Sequence, residues 1–449
     1  MTFTTPRPTL LAAIFVVITA SSARAISYND GGIYDVATGT FDEVLISNGT
    51  TVEFSGASAA GDAYVSDTSS FTISDGMLGD LSVYVDDSAF FEFTGTADAP
   101  NDLAVYSHYI SGTNSSINFS GGSVYDDLDI YSGPTLNYSG TTSYETEVYP
   151  GYYLDSSAPV TANFSGGSHE GFYIYTGGDD ATGDITANFS GGTYTYAELY
   201  PGYYDDPNPM INISGGDWGE LYIYNGGDDE LTHAVVNVSG GTFDYTELYP
   251  GYYDDDTTTN ITGGVFGEFY VYTGDDDEGV PEIAMNVSGG TFNGAVGFDL
   301  GYYGDGADVE ISGGTFNDDV LIDAAYESIV TILGGEFNGA LTINASAQSE
   351  VHIWGGQLGT DYSLVDEANA TFYGYEFFLD GQPVPFGTID LTSLGGEATL
   401  SGTLLDGSVF LDANLLQGGT GRFTLAIPEP QAVTLLLFAA VCRLGRPRF

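Results

Sequence analysis

A five-residue word, Asn-apolar-Ser-Gly-Gly, returns again and again along this chain, and a repeat of this kind limits the fold more than any bulk property does. It stands as Asn118 to Gly122, Asn163 to Gly167, Asn188 to Gly192, Asn212 to Gly216, Asn237 to Gly241 and Asn286 to Gly290. Weaker copies begin at Asn137 and Asn260, and degenerate ones at Glu310, Thr331 and His352. Glu53-Phe54-Ser55-Gly56 and Glu92-Phe93-Thr94-Gly95 carry the series upstream. Successive copies lie about 19 to 26 residues apart, which makes roughly fourteen rungs.

A second word follows within about ten residues of each Gly-Gly. It reads Glu198-Leu199-Tyr200-Pro201-Gly202-Tyr203-Tyr204, and again from Glu247 to Tyr253. A variant, Glu220-Leu221-Tyr222-Ile223-Tyr224, is matched by Glu268-Phe269-Tyr270-Val271-Tyr272. The two versions alternate, so the true unit is a pair of rungs of about fifty residues. Within each word apolar and polar residues alternate strictly: Val160, Ala162 and Phe164 against Thr161, Asn163 and Ser165. Period two means a strand with one buried face, and Gly-Gly supplies a sharp corner after it. No helical periodicity occurs between Ile26 and Ile427.

Short strands, glycine corners and this rung length predict an all-β chain folded as a parallel β-helix, a single-stranded solenoid with right-handed coils as the expected hand. Rungs stacked about 4.8 Å apart would give a rod of about 65 Å. A β-propeller is the rival, but its blades need about 40 or more residues and four strands. The repeats predict a solenoid over 26–359. Residues 360–426 break the period and are expected to form a small β-rich C-terminal cap, because an uncapped solenoid exposes its hydrophobic cross-section and open edges.

Charge narrows the function. The chain has 6 Lys+Arg against 63 Asp+Glu, and no lysine at all. Five of the six arginines lie in the two end segments, leaving Arg422 as the one strong base of the body. Such a surface repels nucleic acid, anionic lipid and acidic polysaccharide, and attracts cations. The single cysteine, Cys442, lies in the C-terminal tail, so no disulfide can staple the body.

The ends read as targeting segments. Arg7, the apolar run Leu10 to Ala20 and Ala23-Arg24-Ala25 make a secretory signal peptide over 1–25. At the other end stand Pro428-Glu429-Pro430, an apolar stretch from Ala432 to Cys442, and Arg443, Arg446 and Arg448. This order, over 427–449, resembles the PEP-CTERM sorting signal. The resemblance implies an exosortase-type transpeptidase as partner, a precursor in transient membrane contact through its tail, and a Sec-exported protein destined for the cell surface or extracellular matrix.

Stacking turns each repeated residue into a column. The first holds Asn118, Asn137, Asn163, Asn188 and their successors to Asn286, whose amides are expected to hydrogen-bond along the rod. They also fit the N-x-S/T glycosylation pattern, which strand alternation alone accounts for. The second column is a set of outward tyrosines, Tyr149, Tyr173, Tyr200, Tyr222, Tyr249 and Tyr270, a candidate stripe for sugar rings or simply good strand formers stacked across coils. The third set is acidic. Glu198, Glu220, Glu247 and Glu268 recur at one position of the word, and Asp179, Asp180, Asp228, Asp229, Asp254, Asp255, Asp275 and Asp276 crowd the turns. Stacked like charges repel by roughly 1 kcal/mol per pair in water; these acids are either candidate calcium ligands, which would relieve that repulsion, or simply a solvated acidic face.

No catalytic group stands out. His108, His169, His233 and His352 occupy unrelated repeat positions, and abundant acids guarantee chance pairs. The sequence therefore points to a non-enzymatic structural or matrix protein displayed as an acidic rod. A carbohydrate-binding adhesin that grips extracellular polysaccharide through the tyrosine stripe is second, and a polysaccharide-degrading β-helix enzyme third.

Overall fold

The computed structural model describes residues 25–427 except 108–114, 153–158, 178–182, 204–207, 227–232, 253–255, 274–282, 303–305, 347, 360–361, 366–368, 395–397 and 416–421. Both end segments, with Pro428, Glu429, Pro430 and the tail arginines, lie outside the described residues. The chain divides into two compact units, Met1–Tyr196 with Tyr204–Asp206, and Ala197–Tyr203 with Pro207–Phe449. Among the described residues everything regular is strand, apart from the 3-10 turn Leu391–Ser393.

The fold is the expected parallel β-solenoid. One coil of the second unit runs Ile283–Val287, turns at Gly289 and Gly290, continues as Thr291–Phe292 and ends with Val296–Leu300. The next coil repeats this order, and its strands pair in parallel with their equivalents: Asn286 with Glu310, Phe292 with Phe316, Asp299 with Asp323. Where the words are longest, the second and third strands merge, as in Thr242–Pro250. The coils differ slightly in number from the fourteen expected.

Alternation produces the core as expected. Val160, Ala162 and Phe164 are buried, while Thr161 and Asn163 between them are half-buried. The two corner glycines are needed for different reasons. Gly241 has φ 111, a backbone shape that side chains resist. Gly240 has no such φ, but a Cβ there would lie 2.5 Å from the carbonyl oxygen of Ser214 one coil earlier. Only a backbone without side chain lets two coils approach that closely at the corner.

The corner also holds a ring. Two residues after the second glycine, Phe243, Phe266, Phe292, Phe316 and Phe337 stack with centroids 4.7–4.8 Å apart and planes within 5–11°. Such contacts add about 0.5–1.5 kcal/mol per pair beyond buried area. In the first unit His169 and Tyr194 hold this corner position and stack at 5.1 Å.

The C-terminal residues close the solenoid. Parallel coil pairing continues through Tyr362–Val365 and the start of Asn369–Leu379. The same strand then switches to antiparallel pairing with Ala398–Leu404, which pairs antiparallel with Val409–Leu415. Gly387–Asp390 and Arg422–Ala426 complete this sheet. Phe372, Phe377, Phe410 and Phe423 are buried beneath it, and Asp406 accepts from the Gly356 backbone N–H at 2.8 Å. Parallel coil pairing thus gives way to antiparallel pairing within these C-terminal strands.

Candidate functional site

The third strand of each coil carries the candidate ligand surface. Leu221, Ile223, Phe269 and Val271 point inward and are buried, so the residues between them form the outer face. The six candidate tyrosines do not share one column. Tyr149 stacks on Tyr131 and Tyr175 at 4.6 and 5.2 Å, and continues a series begun by Tyr64, Tyr84 and Tyr106. In the second unit Tyr200, Tyr224, Tyr249 and Tyr272 repeat this stack. Tyr173, Tyr222 and Tyr270 belong to a different column, two residues earlier. There Tyr173 pairs with Glu147, and Glu247 lies between Tyr222 and Tyr270.

The glutamates correct the expectation in the same way. Glu220, Glu247 and Glu268 occupy equivalent word positions, yet they are not stacked on one another. Tyr245 stands between Glu220 and Glu268, as Glu247 stands between Tyr222 and Tyr270. The face is a checkerboard of rings and carboxylates. Its physical reason is the alternation of the two word versions, offset by two residues when measured from the corner. Glu220 and Glu247 each meet a ring in the next coil instead of another charge, which avoids the repulsion that a single column would carry.

Hydroxyls complete the checkerboard. The Tyr149, Tyr200 and Tyr249 hydroxyls donate to Glu147, Glu198 and Glu247, and Tyr245 donates to Glu247 as well. Tyr270 donates to Glu268 at 3.3 Å. Burial, and then the neighbouring glutamates, raise the pKa of the Tyr149, Tyr245, Tyr249 and Tyr270 phenols, and Tyr224 is pushed up to about 12. The first tyrosine of the Gly-Tyr-Tyr turns packs edge-on against the stack, Tyr203 on Tyr200 and Tyr252 on Tyr249. In the Tyr149 and Tyr200 series the ring faces therefore cover one another and leave mainly edges outward.

The asparagine column is as expected. Asn137, Asn163 and Asn188 each donate Nδ2 to the Oδ1 of the asparagine one coil earlier, at 2.9–3.1 Å. Asn237, Asn260 and Asn286 do the same in the second unit, at 2.9–3.1 Å. A second ladder, Asn293 to Asn317 to Asn338, runs just after the corner and went unread in the sequence. Its signal was the Phe-Asn pair that follows each Gly-Gly there.

The eight turn aspartates proposed for calcium, Asp179, Asp180, Asp228, Asp229, Asp254, Asp255, Asp275 and Asp276, lie outside the described residues. The structure instead shows acids gathered on the third face of the first unit. Asp127 pairs with Glu145 and Asp129 with Glu147, with no ring between them. Burial, then Glu147 and Asp127, push Asp129 up to about 6; burial, then Asp126 and Asp102, raise Asp127, and burial, then Asp127 and Glu147, raise Glu145. Asp102, Asp126 and Asp127 bring carboxylate oxygens within 4.8 Å of one another at the exposed edge of this group. That is a hard, oxygen-only set of the type calcium accepts.

His108 lies outside the described residues, and the other three histidines have unlike surroundings. His169 is buried in the corner stack of the first unit, His233 is exposed and His352 lies 3.2 Å from Glu350. No protein-family model, curated protein or solved structure matches this chain.

Proposed function

We propose that this chain is a non-enzymatic structural protein of the bacterial cell surface or extracellular matrix, exported by its signal peptide, handled at Pro428-Glu429-Pro430 by an exosortase-type enzyme, and displayed as an acidic β-solenoid. The observation that carries this reading is the self-sufficiency of the outer face. Rings stack on rings of the next coil, phenols donate to glutamates, and amides pair with amides along the axis. A surface whose polar groups are used in joining its own coils is built for persistence. The adhesin reading has less support, because sugars stack on open ring faces and the longer tyrosine series cover theirs.

The test is to express the full chain in an exosortase-bearing bacterium. Mature termini are read by mass spectrometry, and the purified product is incubated with a panel of neutral polysaccharides. We expect cleavage after Ala25, loss of the tail, a surface or matrix location and no new reducing ends. Retention in the cytoplasm, or release of sugar products, would defeat the proposal.

A further inference from the structure

The checkerboard of the second unit stops at a definite coil. One column runs Tyr270, Gly297, Leu321 and Thr342, and the neighbouring one runs Tyr272, Asp299, Asp323 and Asn344. Gly and Asp stand where earlier coils carry two large side chains, and a cleft of about 450 Å³ opens in the third face. Tyr270 leans over the vacated position, since a Cβ on Gly297 would lie 2.8 Å from its ring. The far wall is Leu321, an apolar side chain 41% exposed on a face that is otherwise polar and aromatic.

The acids of this cleft differ from those of the checkerboard. Asp299 and Asp323 are half-buried and stacked one coil apart with no ring between them, and Asp319 lies exposed on the rim. Burial and the charge of Asp323 hold Asp299 above the ordinary carboxylate range. The side-chain amide of Asn344 donates to Asp323. The one arginine of the body, Arg422, belongs to the cap strand and does not line the cleft. A cation from outside would relieve the pair. A hydrated metal ion would gain nothing from the Tyr270 and Leu321 walls, whereas an ammonium group on a carbon skeleton uses carboxylates, ring and apolar wall at once.

We propose that this cleft binds a protonated primary amine carried on a sugar or alkyl skeleton, with the ammonium held by Asp299 and Asp323 and the skeleton lying between Tyr270 and Leu321. Amino sugars and lysine-like alkylamines share this chemistry. Glucosamine and n-butylamine are the probes, with glucose and N-acetylglucosamine as uncharged counterparts, titrated into the full chain by calorimetry at low salt. A chain of net charge −57 draws any cation weakly to its surface, so the specific signal is the difference between native chain and variant. Asp299→Asn, Asp323→Asn and Gly297→Tyr, which refills the column, are each expected to weaken amine binding at least tenfold. Circular dichroism checks that each variant stays folded. Tighter binding of glucosamine than of butylamine identifies an amino sugar as the carrier, and the reverse order an alkyl chain. Equal binding of the uncharged sugars overturns the proposal. So does amine binding unchanged in both Asn variants, full displacement by equimolar calcium, or no saturable heat with either amine.

Discussion

His169 offers the sharpest test of how this core is built. It stands two residues after Gly167, at the corner position that Tyr194, Trp218 and Phe243 hold in later coils, and is 1% exposed. Its ring lies 4.9 Å from that of Tyr138 and 5.1 Å from that of Tyr194. Nδ1 is 2.7 Å from the Ser143 hydroxyl, while Nε2 is buried without a hydrogen-bond partner. Burial pulls its pKa down from 6.5 to about 3. Between those limits the unfolded chain takes up a proton that the folded chain refuses. The stability that depends on a neutral His169 is therefore present above pH 6.5 and is lost as pH falls toward 3. Linkage gives a loss of about 2.5 kcal/mol between pH 7 and pH 4.5. His169→Phe keeps the ring stack and binds no proton, and Ser143 and Thr146 still pair with each other at 2.5 Å. We expect the variant to be more stable by about 1 kcal/mol at pH 7, where an unpaired buried nitrogen is removed. Urea unfolding followed by circular dichroism should show that advantage growing by about 2.5 kcal/mol at pH 4.5. An advantage that stays constant across this range refutes the reasoning, as does a variant markedly less stable at pH 7.

Further outcomes follow from other columns. Asp129 has its pKa raised to about 6, so native stability falls as pH rises from 3.8 to that value, the opposite sign to His169. Asp129→Asn should stabilise by about 1 kcal/mol at pH 7 after allowing for solvent screening, and by almost nothing at pH 3.5, read from urea midpoints. Gly240→Ala must push Ser214 away and should lower stability by about 2–3 kcal/mol in thermal or urea unfolding, far more than a surface alanine would. Tyr222→Glu places a carboxylate directly beside Glu247 and should destabilise more than Tyr222→Gln by about 1 kcal/mol, a gap that closes in 1 M salt. Asn237→Leu interrupts the ladder at both Asn212 and Asn260 and should lose about 1–2 kcal/mol, compared with the native chain by hydrogen exchange of the adjoining strands.

The solenoid was legible because its causes are local. Alternation in Val160 to Ser165 and a Gly-Gly after it are written in consecutive residues, and each demands a strand or a corner by itself. The asparagine ladder followed from the same spacing. The outer face was less legible, because word similarity is not register. Glu220 and Glu247 look equivalent when aligned by their words and fall two residues apart when counted from Gly216 and Gly241. The corner phenylalanines from Phe243 to Phe337 were equally present in the sequence, each two residues after a glycine pair, but their stacking comes only through pairing between coils. The cleft at Gly297 was hidden for a different reason. It exists through what is missing from a column, and an absence is visible only once the neighbours of that column are known. The turn aspartates were prominent in the sequence because they are numerous, whereas the stacked acids Asp127, Asp129, Glu145 and Glu147 come together only through pairing between coils.

The checkerboard has a consequence for how such a chain can change its length. Repeats with near-identical words invite recombination, which inserts or deletes whole coils. Removing Tyr245 and its coil would set Glu220 against Glu268, and duplicating that coil would stack Tyr245 on its copy and Glu247 on its copy. Two coils, in contrast, can be added or removed while every ring still meets a carboxylate. The regular stretch obeys a parity rule: its lineage can lengthen or shorten by even numbers of coils, and odd steps are penalised by the charge pattern that makes the face stable.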